Sequence, residues 1–154
     1  MIEAIYLDTC VLNRVTDDWS QPRVLREAQA LEKVLDLVYV GRLRWLSSTL
    51  VEDEIRRNPD PIRRIRVQSL LPAAHEILVP TLETRTEASR LAALGLPAMD
   101  SLHLALAHIA NVQFLLTTDD RFAAAANRLL PNYIPAVMNP VDYLQRRQPW
   151  LLLP

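Results

Sequence analysis

The sequence predicts an α/β protein, with a central parallel sheet of four to five strands and helices on both faces. Three observations carry this. Short apolar runs alternate with segments of helical periodicity along the whole chain. Parallel strands must be joined by crossovers, and helical crossovers cover both faces of a sheet. Half of the residues are apolar and 23% are charged, which suits a packed core and not a disordered chain. A length of 154 residues is expected to form a single domain over 1–154.

The elements follow in order. Residues 2–7 (IEAIYL) are short, apolar and partly β-branched, as a buried strand requires. Residues 14–22 are a polar loop. Val24, Ala28, Leu31, Leu35 and Val38 recur at helical spacing and predict a helix over 21–40. Ser20 suits its cap, Pro22 its first turn and Gly41 its end. Residues 44–47 (RWLS) are a second strand. The next helix is expected to be capped by Thr49, with Glu52 three positions on completing a capping box, and to end before Pro59. Pro61 and Pro72 bound a helix over 60–71, and residues 76–79 (EILV) are a third strand. Gly95 stops a helix over 81–94, and Pro97 opens another that runs to about Asn111. Residues 113–117 (QFLLT) are a fourth strand, 119–130 a helix, 134–138 (IPAVM) a fifth strand and 140–147 a short last helix.

Composition excludes several functions. The net charge is −1, so no bulk electrostatic signal points to a nucleic acid or a membrane. Two glycines, Gly41 and Gly95, cannot build a phosphate-cradling glycine loop. One cysteine, Cys10, leaves no internal disulfide and no cysteine-based zinc site. Sixteen basic residues are arginine and Lys33 is the sole lysine, which disfavours lysine-dependent catalysis. No apolar run reaches the ~20 residues that span a bilayer. Glu3 and Asp8 interrupt the apolar start, so no signal peptide is expected and the protein is expected to be cytoplasmic.

Parallel topology brings the carboxyl ends of all strands to one edge, where α/β sheets bind ligands. Four acids fall on that edge. Asp8 follows the first strand, and Asp119 follows the fourth, two residues after Thr117. Glu54 lies in the second turn of the helix after the second strand, and Asp100 in the first turn of the helix before the fourth. Each has a plainer role available: Asp8 in a turn, Asp119 or Asp120 as a helix cap, Glu54 as a solvated residue. Asp100 fits a plain role least, because its helix (AMDSLHLALAHIA) is apolar nearly all round. Converging carboxylates repel unless a divalent cation neutralises them. Hard oxygen donors suit Mg²⁺ or Mn²⁺, the usual apparatus for hydrolysing phosphate esters.

The runs YLDTCVLNR, SSTLVEDEI, AMDSLHLALAH and LLTTDDRF stand in the order and spacing of the PIN-domain nucleases, which this chain resembles over about residues 2–138. The resemblance implies a three-layer α/β/α sandwich and a Mg²⁺- or Mn²⁺-dependent endoribonuclease. It implies catalytic roles for Asp8, Glu54, Asp100 and Asp119, with Asp8, Asp100 and Asp119 on the metal and Glu54 on the metal's water or the attacking water. Thr117 matches the polar residue two positions before the fourth acid. Many members carry Asn where this chain has Cys10, so that contact is expected to be lost or shifted to Thr9 or Asn13. Many members are VapC-type toxins, so a toxin role with a cognate antitoxin protein and a homodimer are further implications.

Substrate grip is expected from Arg56, Arg57, Arg63, Arg64 and Arg66, with Arg14 and Arg121 near the site. The plainer reading pairs that arginine face with Asp53 and Asp60. His103, one turn after Asp100, is either a support for a site carboxylate or a core residue; His75 and His108 are structural or exposed. Trp19 and the terminal PWLLLP either cover the core edge or form a partner surface. Two other functions compete. An Asp-nucleophile phosphatase expects an acid at position 10 and a lysine near the site, and both are missing. A PIN-like module that binds RNA or protein without cutting has no use for four mutually repelling acids.

Overall fold

The computed structural model describes residues 2–151, with side chains described for 2–147. Five strands form one sheet: β1 (Glu3–Leu7), β2 (Leu43–Ser48), β3 (Glu76–Leu78), β4 (Phe114–Leu116) and β5 (Ala136–Met138). Their order is β3-β2-β1-β4-β5, and every pairing is parallel. The helices are α1 (Thr9–Leu12), α2 (Pro22–Tyr39), α3 (Thr49–Arg56), α4 (Pro61–Gln68), α5 (Leu82–Ala93), α6 (Ala98–Ile109), α7 (Asp120–Leu129) and α8 (Pro140–Leu151). All five predicted strands are present. The last helix runs past its predicted end, and the terminal PWLLLP lies outside the residues whose side chains are described.

Right-handed crossovers assign the layers. From β1 the chain steps outward to β2 and β3, so α2, α3 and α4 lie on one face. It then crosses to β4 and steps to β5, so α5, α6 and α7 lie on the other. The packing agrees: α5 lies against α6, and α8 returns to lie against α2. The result is the three-layer α/β/α arrangement. The direction of winding reverses between β1 and β4, which are neighbours. A crevice therefore opens above their carboxyl ends. Asp8 N donates to Leu116 O (2.9 Å) there, tying the end of β1 to the end of β4.

The core sits against the middle of the sheet. All of β1 is buried, with Ile5, Tyr6 and Leu7 fully so. Trp45, Leu46, Leu104, Leu115, Leu116 and Phe122 pack around them. At roughly 2 kcal/mol or more per buried large side chain, this layer holds the strand ends in place.

Three local predictions need correction. Ser20 does not cap α2; Gln21 occupies that position without a side-chain hydrogen bond, and Pro22 sets the first turn. Thr49 does not cap α3; β2 runs one residue further, and Ser48 caps it by accepting from Val51 N (3.2 Å). The short α1 between β1 and the predicted polar loop is not foreseen from the sequence, and that loop, 14–22, opens within a 3₁₀ turn at Asn13–Val15. The buried stripe of α2 is also rotated from the expected one. Glu27, Ala30, Val34 and Leu37 face inward, while Ala28 and Leu35 are half-buried.

Candidate active site

Asp8 ends β1 and caps α1. Its Oδ1 accepts from Thr9 N (2.8 Å) and its Oδ2 from Thr117 Oγ1 (2.9 Å), so the carboxylate is buried yet fully oriented. Cys10 Sγ donates to the same Oδ2 (3.4 Å) and lies 3.3 Å from Thr117 Oγ1. Burial first, and then the Asp8 charge, push the Cys10 thiol up to about 11, so it is a neutral donor at ordinary pH. The Thr9 hydroxyl beside Asp8 is buried without a hydrogen-bond partner among the described residues. Asn13 ends α1 and contributes only its backbone there.

Asp119 caps α7: its Oδ1 accepts from Arg121 N (3.0 Å) and Phe122 N (3.2 Å). Thr117 Oγ1 receives Asp119 N (3.1 Å), so one threonine hydroxyl orients both Asp8 and Asp119. The plain capping role leaves room for another: Oδ1 serves the helix and Oδ2 is left over. Asp120 points elsewhere, into a two-pronged pairing with Arg23 (2.7 and 2.9 Å).

Glu54 leans inward from α3. Its Oε1 meets His103 Nε2, and His103 Nδ1 meets Tyr6 Oη (2.6 Å), which in turn meets Ser48 Oγ (2.7 Å). A carboxylate only accepts, so His103 Nε2 carries a hydrogen. In neutral His103, Nδ1 then accepts from the Tyr6 hydroxyl; in the cation, Nδ1 donates to it. Burial alone pulls the His103 pKa down, but the Glu54 hydrogen bond and the Asp8 charge outweigh it and hold it above its ordinary value. Burial keeps the Tyr6 phenol neutral, well above its usual range. His103 is therefore both a core residue and a support for the Glu54 carboxylate.

Asp100 differs from the other three. It has no hydrogen bond or ion pair among the described residues. Its carboxyl is pushed up to about 6, first by burial and then by the charges of Asp8 and Asp119, with Glu54 adding to them and His103 opposing. The four acids thus share one electrostatic neighbourhood. Among the described residues, no group of three His, Cys, Asp or Glu side chains is arranged to hold an ion by itself. Mg²⁺ and Mn²⁺ do not need such a cage; they are held by one or two carboxylates, with water and substrate phosphate completing the shell. The partnerless Asp100, the spare oxygen of Asp119 and the hard-oxygen donor set fit such an ion.

The arginines divide. Arg14 is bound to Asp17 (2.7 Å) and Glu27 (3.1 Å), and Arg63 to Asp17 and Thr16. Arg56 pairs with Asp53 (2.6 Å) and Arg64 donates to Asn58 O (2.8 Å). Asp60 takes no arginine side chain; it caps α4. Arg57 and Arg121 make no side-chain ion pair or hydrogen bond among the described residues. His75 and His108 are structural: His75 Nδ1 accepts from Trp45 N (3.2 Å), and His108 bonds Ile134 O (2.6 Å) and stacks on Tyr133. Trp19 is half-exposed and donates to Arg14 O (2.8 Å).

Tyr6, Ser48, Arg23 and Glu27 were not singled out from the sequence. Tyr6 and Ser48 read as ordinary strand residues, and their link to His103 needs β1, β2 and α6 together. Glu27 carried one signal, a position three residues after Val24 and four before Leu31, on the apolar stripe.

A parallel sheet with Asp8 and Asp119 just past the ends of β1 and β4, at its switch point, defines an α/β protein with an acidic candidate site. The family model for the PIN domain matches residues 5–128, and the chain belongs to the PIN-domain family. No curated protein matches it. PIN domains are typically metal-dependent nucleases acting on nucleic acids. No described helix is long and apolar enough to cross a membrane.

Proposed function

We propose that this chain is a Mg²⁺- or Mn²⁺-dependent endoribonuclease that hydrolyses phosphodiester bonds of single-stranded or structured RNA. The observation that carries the reading is Asp100: half-buried, without a partner, and pushed up to about 6 by burial and its acidic neighbours. A carboxyl held in that state is poised for a cation. We assign Asp8, Asp100 and Asp119 to the ion, one or two of them directly and the rest through its water shell, and we take residues 1–154 as one PIN-like domain around them. A bound ion would neutralise charge on the phosphoryl oxygens and lower the pKa of a water.

The chain's own residues do the rest. Thr117 holds Asp8 and Asp119 in register across the β1–β4 crevice. His103 occupies Oε1 of Glu54, which leaves Oε2 to accept a proton from the attacking water. Arg57 and Arg121, being unpaired, are the first candidates to grip substrate phosphate, while Arg14, Arg56, Arg63 and Arg64 must first give up an existing partner. Thr9 and Asn13 remain candidates to replace the contact that Cys10 does not make. The VapC-like motifs extend the proposal to a cytoplasmic toxin with a cognate antitoxin protein and a homodimeric state.

The test is cleavage of single-stranded RNA with Mn²⁺ or Mg²⁺ against EDTA, beside Asp8→Asn. Metal-dependent cleavage lost in the variant supports the proposal. Metal binding without cleavage favours a binding module, and phosphate release from a small phosphoester favours a phosphatase.

A further inference from the structure

Glu27 is a buried acid on α2, its side chain 2% exposed, remote in sequence from all four site acids. It is satisfied by three donors from three parts of the chain. Arg14 Nε reaches it from the turn after α1 (3.1 Å), Arg23 Nε from one turn earlier on α2 (3.3 Å), and Asn139 Nδ2 from the start of α8. Removing such an acid would take the shared acceptor from three converging donors, so its place is strongly determined.

What Glu27 holds is the Arg23 guanidinium, and the rest of that guanidinium grips one short loop. Nη1 and Nη2 take both oxygens of Asp120 (2.7 and 2.9 Å), and Nη2 also donates to Thr118 O (2.9 Å). Asp119 lies between these two anchors. Its own Oδ1 is spent on the α7 cap, so the direction of Oδ2 depends on where that loop stands.

We infer that Arg23, locked by the buried Glu27, is a positioning residue that clamps Thr118 and Asp120 and so aims the Asp119 carboxylate into the site. This rests on the assignment of Asp119 to the metal-dependent site. The clamp also separates the two adjacent acids: Asp120 is spent on Arg23, and Asp119 alone is free to act. Arg23 is half-exposed and Asp120 more so. An ion pair that open to water adds little to global stability, so its effect is local geometry.

The test uses Arg23→Gln, Arg23→Lys and Asp120→Asn in the full chain. Hydrogen exchange of the Arg121 and Phe122 amides is measured in metal-free protein, and Mn²⁺ affinity by titration of the Mn²⁺ EPR signal. Arg23→Gln is expected to speed exchange at those two amides while leaving β1 unchanged. It should also weaken Mn²⁺ binding about tenfold, the range seen when a support behind a metal ligand is lost. Turnover at saturating Mn²⁺ should stay within about threefold of wild type, since the ligands themselves remain. Arg23→Lys should recover part of the affinity. Asp120→Asn should reproduce the effect in smaller degree, and adding it to Arg23→Gln should change nothing further. Wild-type exchange at Arg121 and Phe122 in Arg23→Gln overturns the clamp, as does an equal rise in exchange throughout β1 and β4. Wild-type protein that binds no Mn²⁺ refutes the metal reading instead, and the exchange data then decide the clamp by themselves.

Discussion

Replacing Asp100 by Asn will make the protein more stable at neutral pH, although it removes a site carboxylate. Burial, followed by the charges of Asp8 and Asp119, lifts this carboxyl from 3.8 to about 6. Taken in full, that lift corresponds to about 3 kcal/mol of penalty on the ionised form. Asp100 is only half-buried and solvent screens the charges around it, so about 1 kcal/mol is the expected gain. The sign follows from proton linkage. The folded protein holds this proton more tightly than the unfolded chain, so wild-type stability falls as pH rises from 3.8 to about 6 and stays lowered above. The amide of the variant carries no such penalty.

Urea unfolding in EDTA, followed by circular dichroism near pH 4 and near pH 7.5, measures the difference. The variant should gain about 1 kcal/mol near pH 7.5, or roughly 2–4 °C in Tm for a chain of this size, and little near pH 4. Saturating Mn²⁺ should narrow the gap, because the ion stabilises the wild type by mass action. A variant less stable than wild type near pH 7.5, or equally favoured at both pH values, would refute the reasoning.

Other expectations follow from the same contacts. Tyr6→Phe should cost about 1–3 kcal/mol in urea unfolding, because it leaves buried His103 Nδ1 without its partner. The raised pKa of His103 contributes stability that is fully present below 6.5 and lost as pH rises through the folded value; His103→Gln should abolish that alkaline limb of the stability profile. Cys10, pushed up to about 11, should react slowly with a disulfide reagent near pH 8 in folded protein and rapidly in urea. RNA affinity should fall steeply with salt, and Arg121→Ala should flatten that slope by about one unit if its guanidinium contacts a phosphate.

The sheet was legible in the sequence because its strands are short apolar runs separated by strong punctuation. The continuous burial of β1 and the prolines and glycine around the helices left few alternatives. The acids were legible for a topological reason: in a parallel sheet, residues just past the strands must share one edge. The cap of α3 was misassigned by one residue because Ser48 and Thr49 are both good caps, and only the length of β2 decides between them. The Glu27 network was not legible. Helical spacing on α2 admits two overlapping faces, and a carboxylate reads as the solvated one until Arg14 and Asn139 are seen to converge on it. The pairing of the arginines was not legible either, since Arg14 and Arg63 both find Asp17, which lies 46 residues from Arg63 in sequence.

The central claim is that carboxylates distant in sequence meet to hold a divalent cation. Mn²⁺ titration followed by EPR, on wild type, Asp8→Asn and Asp100→Asn, tests it most directly. Wild-type protein should bind Mn²⁺ saturably, and each substitution should weaken that binding at least tenfold, with both variants folded by circular dichroism. Wild-type Mn²⁺ affinity in both variants, or binding by none of the three, would contradict it.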